Sequence, residues 1–313
     1  MPKLKNNDIC ARKESACPQE KKEKNFLKKG KQIMKKEKFF FCAERDGLLF
    51  ALPAVMGILN VTDNSFFAAS RVDDAGLAVE RARQMVAAGA AVIDVGACST
   101  RPGADPVSEE EELARLLPTL RALTEAFPSL PLSVDTFRAS VVEACTSVCG
   151  TFIVNDVSGC SDADMAGIVA RHHLPYVLTH NSRTQTSAEL PADFDIVQDV
   201  RAFFRQKSEY LRAAGADMLI LDPGFGFGKT VEENYRLLAH LSELRSVDAP
   251  LLVGVSRKSM IQRVLSVSAD DALNGTTVLH TLALQKGADI LRVHDVREAC
   301  ETVRLLHQLN KSE

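Results

Sequence analysis

From residue 53 onward the chain alternates short apolar runs with polar loops and stretches of helical period. The runs are AVMGILN from Ala54, AVIDVG from Ala91, LSVD from Leu132 and FIVND from Phe152, then YVLTH from Tyr176, LILDPG from Leu219, LLVGVS from Leu251 and ILRVHD from Ile290. Each is continuous rather than alternating, as expected of parallel strands covered on both faces. The intervals predict helices. Ser108 with Glu111, and Thr230 with Glu233, form capping boxes, in which a hydroxyl and a carboxylate satisfy the orphan amides of a helix start. Behind them Leu113, Leu116, Leu117 and Leu120, and then Leu237, Leu238, Leu241 and Leu244, fall on single helical stripes. Asp295 with Glu298 predicts a third start of the same kind, with Val296, Ala299, Cys300, Val303 and Leu306 as the inner face. Gly89, Gly215 and Gly287 end three helices just ahead of a strand.

Eight strand–helix units in about 255 residues predict a (β/α)8 TIM barrel. The competing open doubly wound sheet lacks its GxGxxG turn after the first strand. Lys38–Pro53 predicts a short hairpin ahead of the barrel, at its bottom.

In such a barrel the strand C-termini converge on one mouth, where chemistry sits. The polar residues there are Asn60, Asp94, Asp135, Asn155, Asp156, His180, Asp222, Ser256, Arg257, Lys258, Arg292 and His294. Asp135 ahead of TFRAS also suits a helix cap. A polar group at every strand end exceeds what capping requires. Asp135, Asn155, Asp222 and Lys258 offer acceptors and donors suited to a planar, nitrogen-rich heterocycle. Arg257, Arg292 and His294 cluster on strands seven and eight, where barrels bind phosphate. Asn60 opposite them suits a Mg²⁺ ion that also holds phosphate oxygens, since this ion takes few protein ligands. DPGFGFGK, from Asp222 to Lys229, reads as a flexible mouth loop offering Phe227 to an aromatic ligand.

Composition narrows the setting. Residues 1–40 hold 13 Lys/Arg against 5 Asp/Glu, a net of +8, so the remainder carries −11 of the total −3. The basic segment predicts a disordered leader over residues 1–37, followed by one barrel domain over 38–313. An acidic body argues against nucleic acid as the ligand. No apolar run approaches the ~20 residues of a membrane helix, and the leader lacks the apolar core of a secretory signal. The eight cysteines show no CxxC pair and no metal-ligand spacing, which predicts reduced thiols in the cytoplasm.

The motifs MGILNVT, IDVGACSTRPGA, SVDTF, NDVSG, DPGFGFGK, VSRKS and RVHDV, in this order over roughly residues 53–309, resemble the dihydropteroate synthase family. That family condenses 6-hydroxymethyl-7,8-dihydropterin diphosphate with p-aminobenzoate, releasing diphosphate, in folate synthesis. The resemblance implies that Asp135, Asn155, Asp222 and Lys258 cradle the pterin, with Asp94 beneath it. It implies that Asn60 holds Mg²⁺ beside the diphosphate and that Arg292 and His294 bind that group. Thr100, Arg101, Pro102, Phe227 and Ser256 would form the p-aminobenzoate site, where sulfonamides compete. Lys258, Asp135 and Asp222 would act on the reacting groups, with Asp63 and Asn64 in a first loop closing over them. A homodimer through the last helices is implied as well. Three departures stand out: NVTDNSF where Asn-Val-Thr-Pro-Asp-Ser-Phe is usual, THNS at Thr179–Ser182 where Met-His-Met is common, and Cys98 at a usual glutamate position. The first departure leaves room for a non-catalytic pterin-binding relative as the alternative. A corrinoid-type pterin methyltransferase fits less well, having no need of the Arg/His phosphate site.

Overall fold

The computed structural model describes residues 38–41, 49–61, 71–98, 107–181, 194–245 and 247–312. Two short strands, β1 (Lys38–Phe41) and β2 (Leu49–Leu52), pair with each other. The barrel follows. Its units are β3 (Ala54–Asn60) and α1 (Arg71–Ala88), β4 (Val92–Gly96) and α2 (Glu109–Ala126), β5 (Leu132–Asp135) and α3 (Ala139–Cys149), and β6 (Ile153–Asp156) and α4 (Met165–Arg171). They continue with β7 (Tyr176–Thr179) and α5 (Ile196–Ala213), and β8 (Leu219–Asp222) and α6 (Val231–Ala239). The last are β9 (Leu252–Val253) with α7 (Ser259–Leu265) and α8 (Leu273–Gln285), and β10 (Ile290–Val293) with α9 (Val296–Asn310). The sheet order is β8-β7-β6-β5-β4-β3-β10-β9, every pairing parallel. A bridge between Leu221 and Leu251, with Leu221 N donating to Pro250 O at 2.8 Å, closes the ring.

The strands divide their side chains between two faces, because successive residues point to opposite sides. Val55, Leu59, Ile93, Val95, Val134, Val154, Tyr176, Leu178, Leu221, Val253, Leu291 and Val293 join the large core beneath the helices. Met56, Val92, Ile153, Val177, Ile220, Leu252 and Ile290 form a second cluster, the floor inside the barrel, and Phe50 of β2 packs into it. So β2, ahead of the barrel, packs against this floor through Phe50. Two residues further along the inner faces of β4, β6, β7, β8 and β10 the pattern turns polar: Asp94, Asn155, Thr179, Asp222 and Arg292 stand above Val92, Ile153, Val177, Ile220 and Ile290. The apolar floor ends where this polar layer begins.

Both capping boxes are present, Ser108 Oγ accepting from Glu111 N and Thr230 Oγ1 from Glu233 N. The third expected start is different. Asp295 precedes α9 but makes no side-chain cap, because both its carboxylate oxygens are taken by Arg257, at 2.8 Å from Nε and 2.8 Å from Nη2. Asp135 does not cap α3 either, whose N-cap is Arg138.

Candidate active site at the barrel mouth

Barrel closure sets the first strands against the last, so side chains far apart in sequence meet above the floor. Arg292 Nε donates to Asp94 Oδ2 at 2.6 Å and Nη2 to Asp135 Oδ2 at 2.6 Å. Asn155 Nδ2 donates to the same Asp94 oxygen at 3.0 Å. One guanidinium thus bridges two carboxylates, a charge-assisted arrangement that fixes all three side chains. Asp94 Oδ1 has no hydrogen-bond partner among the described residues. Burial pushes the Asp135 carboxyl up to about 7; Arg292 opposes the shift and Asp94 adds to it. Burial also works against the Arg292 cation, but Asp94 and Asp135 outweigh it and hold the guanidinium above its ordinary pKa. Arg292 therefore lies on two of the carboxylates expected at the pterin site.

Lys258 occupies the next sector. Its Nζ donates to Phe225 O and stands 4.7 Å from the centre of the Phe227 ring. Burial lowers its pKa to about 8, with Asp222 the largest opposing influence. Burial likewise raises Asp222, which Lys258 counters, and Asp222 Oδ1 accepts from Gly224 N at 2.8 Å. Ser256 Oγ accepts from His294 N at 3.3 Å and hydrogen-bonds His294 Nδ1 at 3.2 Å. Asn60 is exposed at the end of β3. A Cβ on Gly96 would meet its Oδ1 at 3.7 Å and Asp135 Oδ2 at 3.6 Å, so glycine lets these two oxygens flank one spot.

The DPGFGFGK loop is pinned rather than flexible. Lys229 Nζ donates to His180 O at 3.0 Å, Gly224 O at 2.9 Å and Phe227 O at 3.3 Å. Asn234 Oδ1 accepts from Gly226 N at 2.7 Å, and its Nδ2 donates to Thr230 O at 2.6 Å. Burial lowers the Lys229 pKa to about 7. The two phenylalanines divide: Phe225 is wholly buried core, and Phe227 is half-buried beneath Lys258. Gly224 has φ +67, and a Cβ there would lie 1.9 Å from His180 O. We expect Gly224→Ala to cost about 2–4 kcal/mol in urea unfolding, combining a left-handed backbone with a clash against main chain. Gly167→Ala inside α4, where nothing lies within 4 Å, is the control and should be neutral or slightly stabilising.

Arg257 does not join the phosphate-binding set. Its guanidinium turns away to Asp295 and to the carbonyls of Ala269 at 2.8 Å and Asp270 at 2.6 Å. His180 is buried behind the cradle, Nε2 3.0 Å from Asp199 Oδ2 and its ring edge-on to Phe203, which makes it a packing residue. Cys98 accepts from Arg138 Nη1 at 3.8 Å, and burial pushes its thiol up to about 11, leaving no thiolate at neutral pH. Arg138 also pairs with buried Glu112 and donates to Val107 O at 2.7 Å. It thereby ties down both residues flanking positions 99–106. Asp63, Asn64, Thr100, Arg101 and Pro102 lie outside the described residues. Sequence reasoning missed Lys229 and Asn234, which bind backbone of the adjoining loop, and Arg138 and Glu112, whose contacts cross between elements.

Among the described residues no three His, Cys, Asp or Glu side chains gather as a metal site. A single exposed amide oxygen on Asn60 still fits a hard cation whose remaining ligands come from phosphate and water.

An acid–arginine–amide network beside an ammonium held over an aromatic ring defines a barrel enzyme shaped for a planar nitrogen heterocycle next to an anion. The family described as pterin binding enzyme matches residues 56–294. The chain belongs to that pterin-binding enzyme family. It is similar to the dihydropteroate synthase of Escherichia coli K12, 40% identical over 267 residues that span 84% of this chain and 94% of that protein. The Yersinia pestis dihydropteroate synthase crystallised with a sulfonamide drug superposes with TM-score 0.75 at 40% identity, covering 83% of this chain and 95% of that one. The Burkholderia cenocepacia enzyme complexed with 7,8-dihydropteroate does so with TM-score 0.74 at 35% identity, covering 84% and 95%.

Proposed function

We propose that this barrel is a transferase that joins 6-hydroxymethyl-7,8-dihydropterin diphosphate to p-aminobenzoate, giving 7,8-dihydropteroate and diphosphate for folate synthesis. The observation that carries the reading is the buried Asp94–Arg292–Asp135–Asn155 network facing Asp222 and Lys258 inside the mouth. Asp135, Asn155 and Asp222 accept from the pterin's ring and amino N–H groups, Asp94 supports them from below, and Lys258 donates to a ring carbonyl or nitrogen. As the C–O bond to diphosphate breaks, Arg292 and His294 take up charge on the leaving group. The carboxylates of Asp135 and Asp222 stabilise the cation left on the pterin's exocyclic carbon. The aniline nitrogen attacks that carbon, so no covalent enzyme nucleophile is required. Phe227, Ser256, Thr100, Arg101 and Pro102 hold p-aminobenzoate, and Asp63 and Asn64 belong to the loop that covers the reaction. Asn60 would hold Mg²⁺ with the diphosphate, the ion supplying charge neutralisation there.

The protein works as one barrel domain over residues 38–313 after a basic leader, in the cytoplasm and as a homodimer. Exposed Val264 and Leu265 on α7, Val278 and Leu282 on α8, and Leu305 and Leu309 on α9 support an interface on these helices. Sedimentation at micromolar concentration should give a dimer. Among the described residues no helix is long and apolar enough to cross a membrane.

The test is direct. Purified protein given pterin diphosphate, Mg²⁺ and p-aminobenzoate should release diphosphate and form dihydropteroate, and sulfamethoxazole should compete with p-aminobenzoate. Pterin binding without turnover would replace this reading by the non-catalytic one. The pH profile follows from the two perturbed groups. Asp135 must be ionised, which holds above about 7, and Lys258 protonated, which holds below about 8. We expect kcat/KM to be bell-shaped with its maximum between these limbs. A rate still rising at pH 9 would contradict the need for the ammonium.

A further inference from the structure

The loop after β8 follows neither helix nor strand. Gly224, Gly226 and Gly228 have φ +67, +83 and +67, so every second residue is left-handed. Side chains meet the main-chain groups that such a path leaves over. On the amide side, Asp222 Oδ1 and Asn234 Oδ1 accept from Gly224 N and Gly226 N. On the carbonyl side, two ammonium groups donate. Lys258 bonds Phe225 O, and Lys229 bonds Gly224 O, Phe227 O and His180 O, the last just beyond β7. Each of the three N–H donors of Lys229 is thus matched to one main-chain carbonyl. Gly224 O also accepts from Phe227 N at 3.1 Å, so Lys229 bridges both ends of the turn from Gly224 to Phe227. The amide and carbonyl of Phe227 are both held in this way, and its ring stands 4.7 Å from Lys258 Nζ. Burial works against the Lys229 cation, with Asp222 the largest opposing influence. A methionine of the same length would avoid that cost but would leave the three carbonyls without this donor.

We propose that Lys229 is a positioning residue for the second substrate: its ammonium, caged by the carbonyls of His180, Gly224 and Phe227, fixes the backbone of Phe227 and so sets affinity for p-aminobenzoate. The proposal rests on the reading above that places Phe227 in the p-aminobenzoate site, and deepens it. Lys229 acts through Phe227 rather than by touching a substrate. Holding one ring in place ahead of binding lowers the ordering cost that the substrate would otherwise meet. The heterocycle, gripped by Asp135, Asn155 and Asp222 on three strand ends, does not depend on the course of this loop.

The test splits the two substrates and couples the two residues. It is run at pH 6.5, below the value of about 7 to which burial brings Lys229. Lys229→Met should raise KM for p-aminobenzoate about 10-fold and leave Kd for 6-hydroxymethylpterin within about 2-fold of wild type. Phe227→Ala should raise the same KM by itself. Adding Lys229→Met to Phe227→Ala should then change it by less than about 2-fold, because the ring that Lys229 positions is already gone. A merely structural role would weaken the double variant as much as the single one. Lys229→Gln, with two N–H donors in place of three, should raise KM for p-aminobenzoate about 3-fold, and it carries the test if Lys229→Met does not fold. An unchanged KM for p-aminobenzoate in the folded variant, equal weakening of both substrates, or full additivity with Phe227→Ala overturns the proposal. If Phe227→Ala alone leaves that KM unchanged, the assignment of Phe227 to the p-aminobenzoate site fails, and this inference with it.

Discussion

Replacing Lys258 by methionine should lower kcat/KM by about 10³-fold while leaving the protein folded. Methionine keeps the length and apolar body of the side chain and removes only the ammonium, so the comparison isolates charge. In the wild-type protein that ammonium sits between Asp222, Phe225 O and the Phe227 ring, where burial already lowers its pKa to about 8. Holding a cation there costs folding free energy, because the unfolded chain binds the proton more tightly. Its removal leaves Asp222 without its main opposing charge, but Gly224 N still donates to that carboxylate and protonation relieves the rest. The two effects oppose each other, so stability should stay within about 1–2 kcal/mol of wild type. The activity loss is therefore not a folding defect. Lys258→Arg should rescue poorly, since a planar guanidinium cannot direct one donor to Phe225 O while standing over Phe227 in the space of an ammonium. Near-normal turnover in Lys258→Met, measured as dihydropteroate formed per enzyme, would remove Lys258 from the mechanism.

Much of this arrangement is legible along the chain, and the remainder fails for identifiable reasons. The strands, the two capping boxes and the leucine stripes arise from contacts within a few residues, so local pattern reports them. Asp94, Asp135, Asn155 and Asp222 are legible as candidates because polar residues interrupting apolar runs are conspicuous. Their partners are not. Arg292 and Asp94 are separated by 198 positions, and only ring closure brings them together. Asp295 has the spacing of a helix cap, yet Arg257 captures its carboxylate, a tertiary contact that outweighs the local preference. The glycines of DPGFGFGK suggest freedom, whereas Lys229 and Asn234 remove it by binding backbone from both sides. Treating each strand as a continuous apolar run also concealed the inner-face periodicity. Counted in steps of two, Val177–Thr179 and Ile220–Asp222 reveal floor and cradle directly.

Arg292→Met is the second substitution with a large expected effect, and it separates stability from catalysis. Truncating one member of a buried ion pair leaves an uncompensated charge, typically a loss of about 3–5 kcal/mol. Here two carboxylates are exposed to that penalty, and Asp135 can relieve its share by taking up a proton. With the guanidinium gone, Asp135 loses the cation that opposes its upward shift and would titrate still further above its unfolded value in the folded state. For a carboxyl whose folded pKa is raised, the folded form binds more protons, so stability falls as pH rises from the unfolded pKa through the folded one. The deficit of Arg292→Met should therefore be small near pH 5 and largest above pH 7, where Asp135 even in the wild type is pushed to about 7. Adding Asp94→Asn removes one of the stranded charges and should recover most of the stability at pH 8. It should recover none of the activity, which we expect to be down about 10³-fold because charge on departing diphosphate is no longer met. The same logic applies to the proposed reaction. Arg292 bonds Asp94 and Asp135, and in the proposed mechanism the pterin's N–H groups would take over acceptors there as the guanidinium turns to the diphosphate. Recognition of ring and leaving group would thereby be coupled through one side chain. Inorganic diphosphate should strengthen binding of 6-hydroxymethylpterin to the wild type and have no such effect on Arg292→Met, measured by titration calorimetry at pH 7.5.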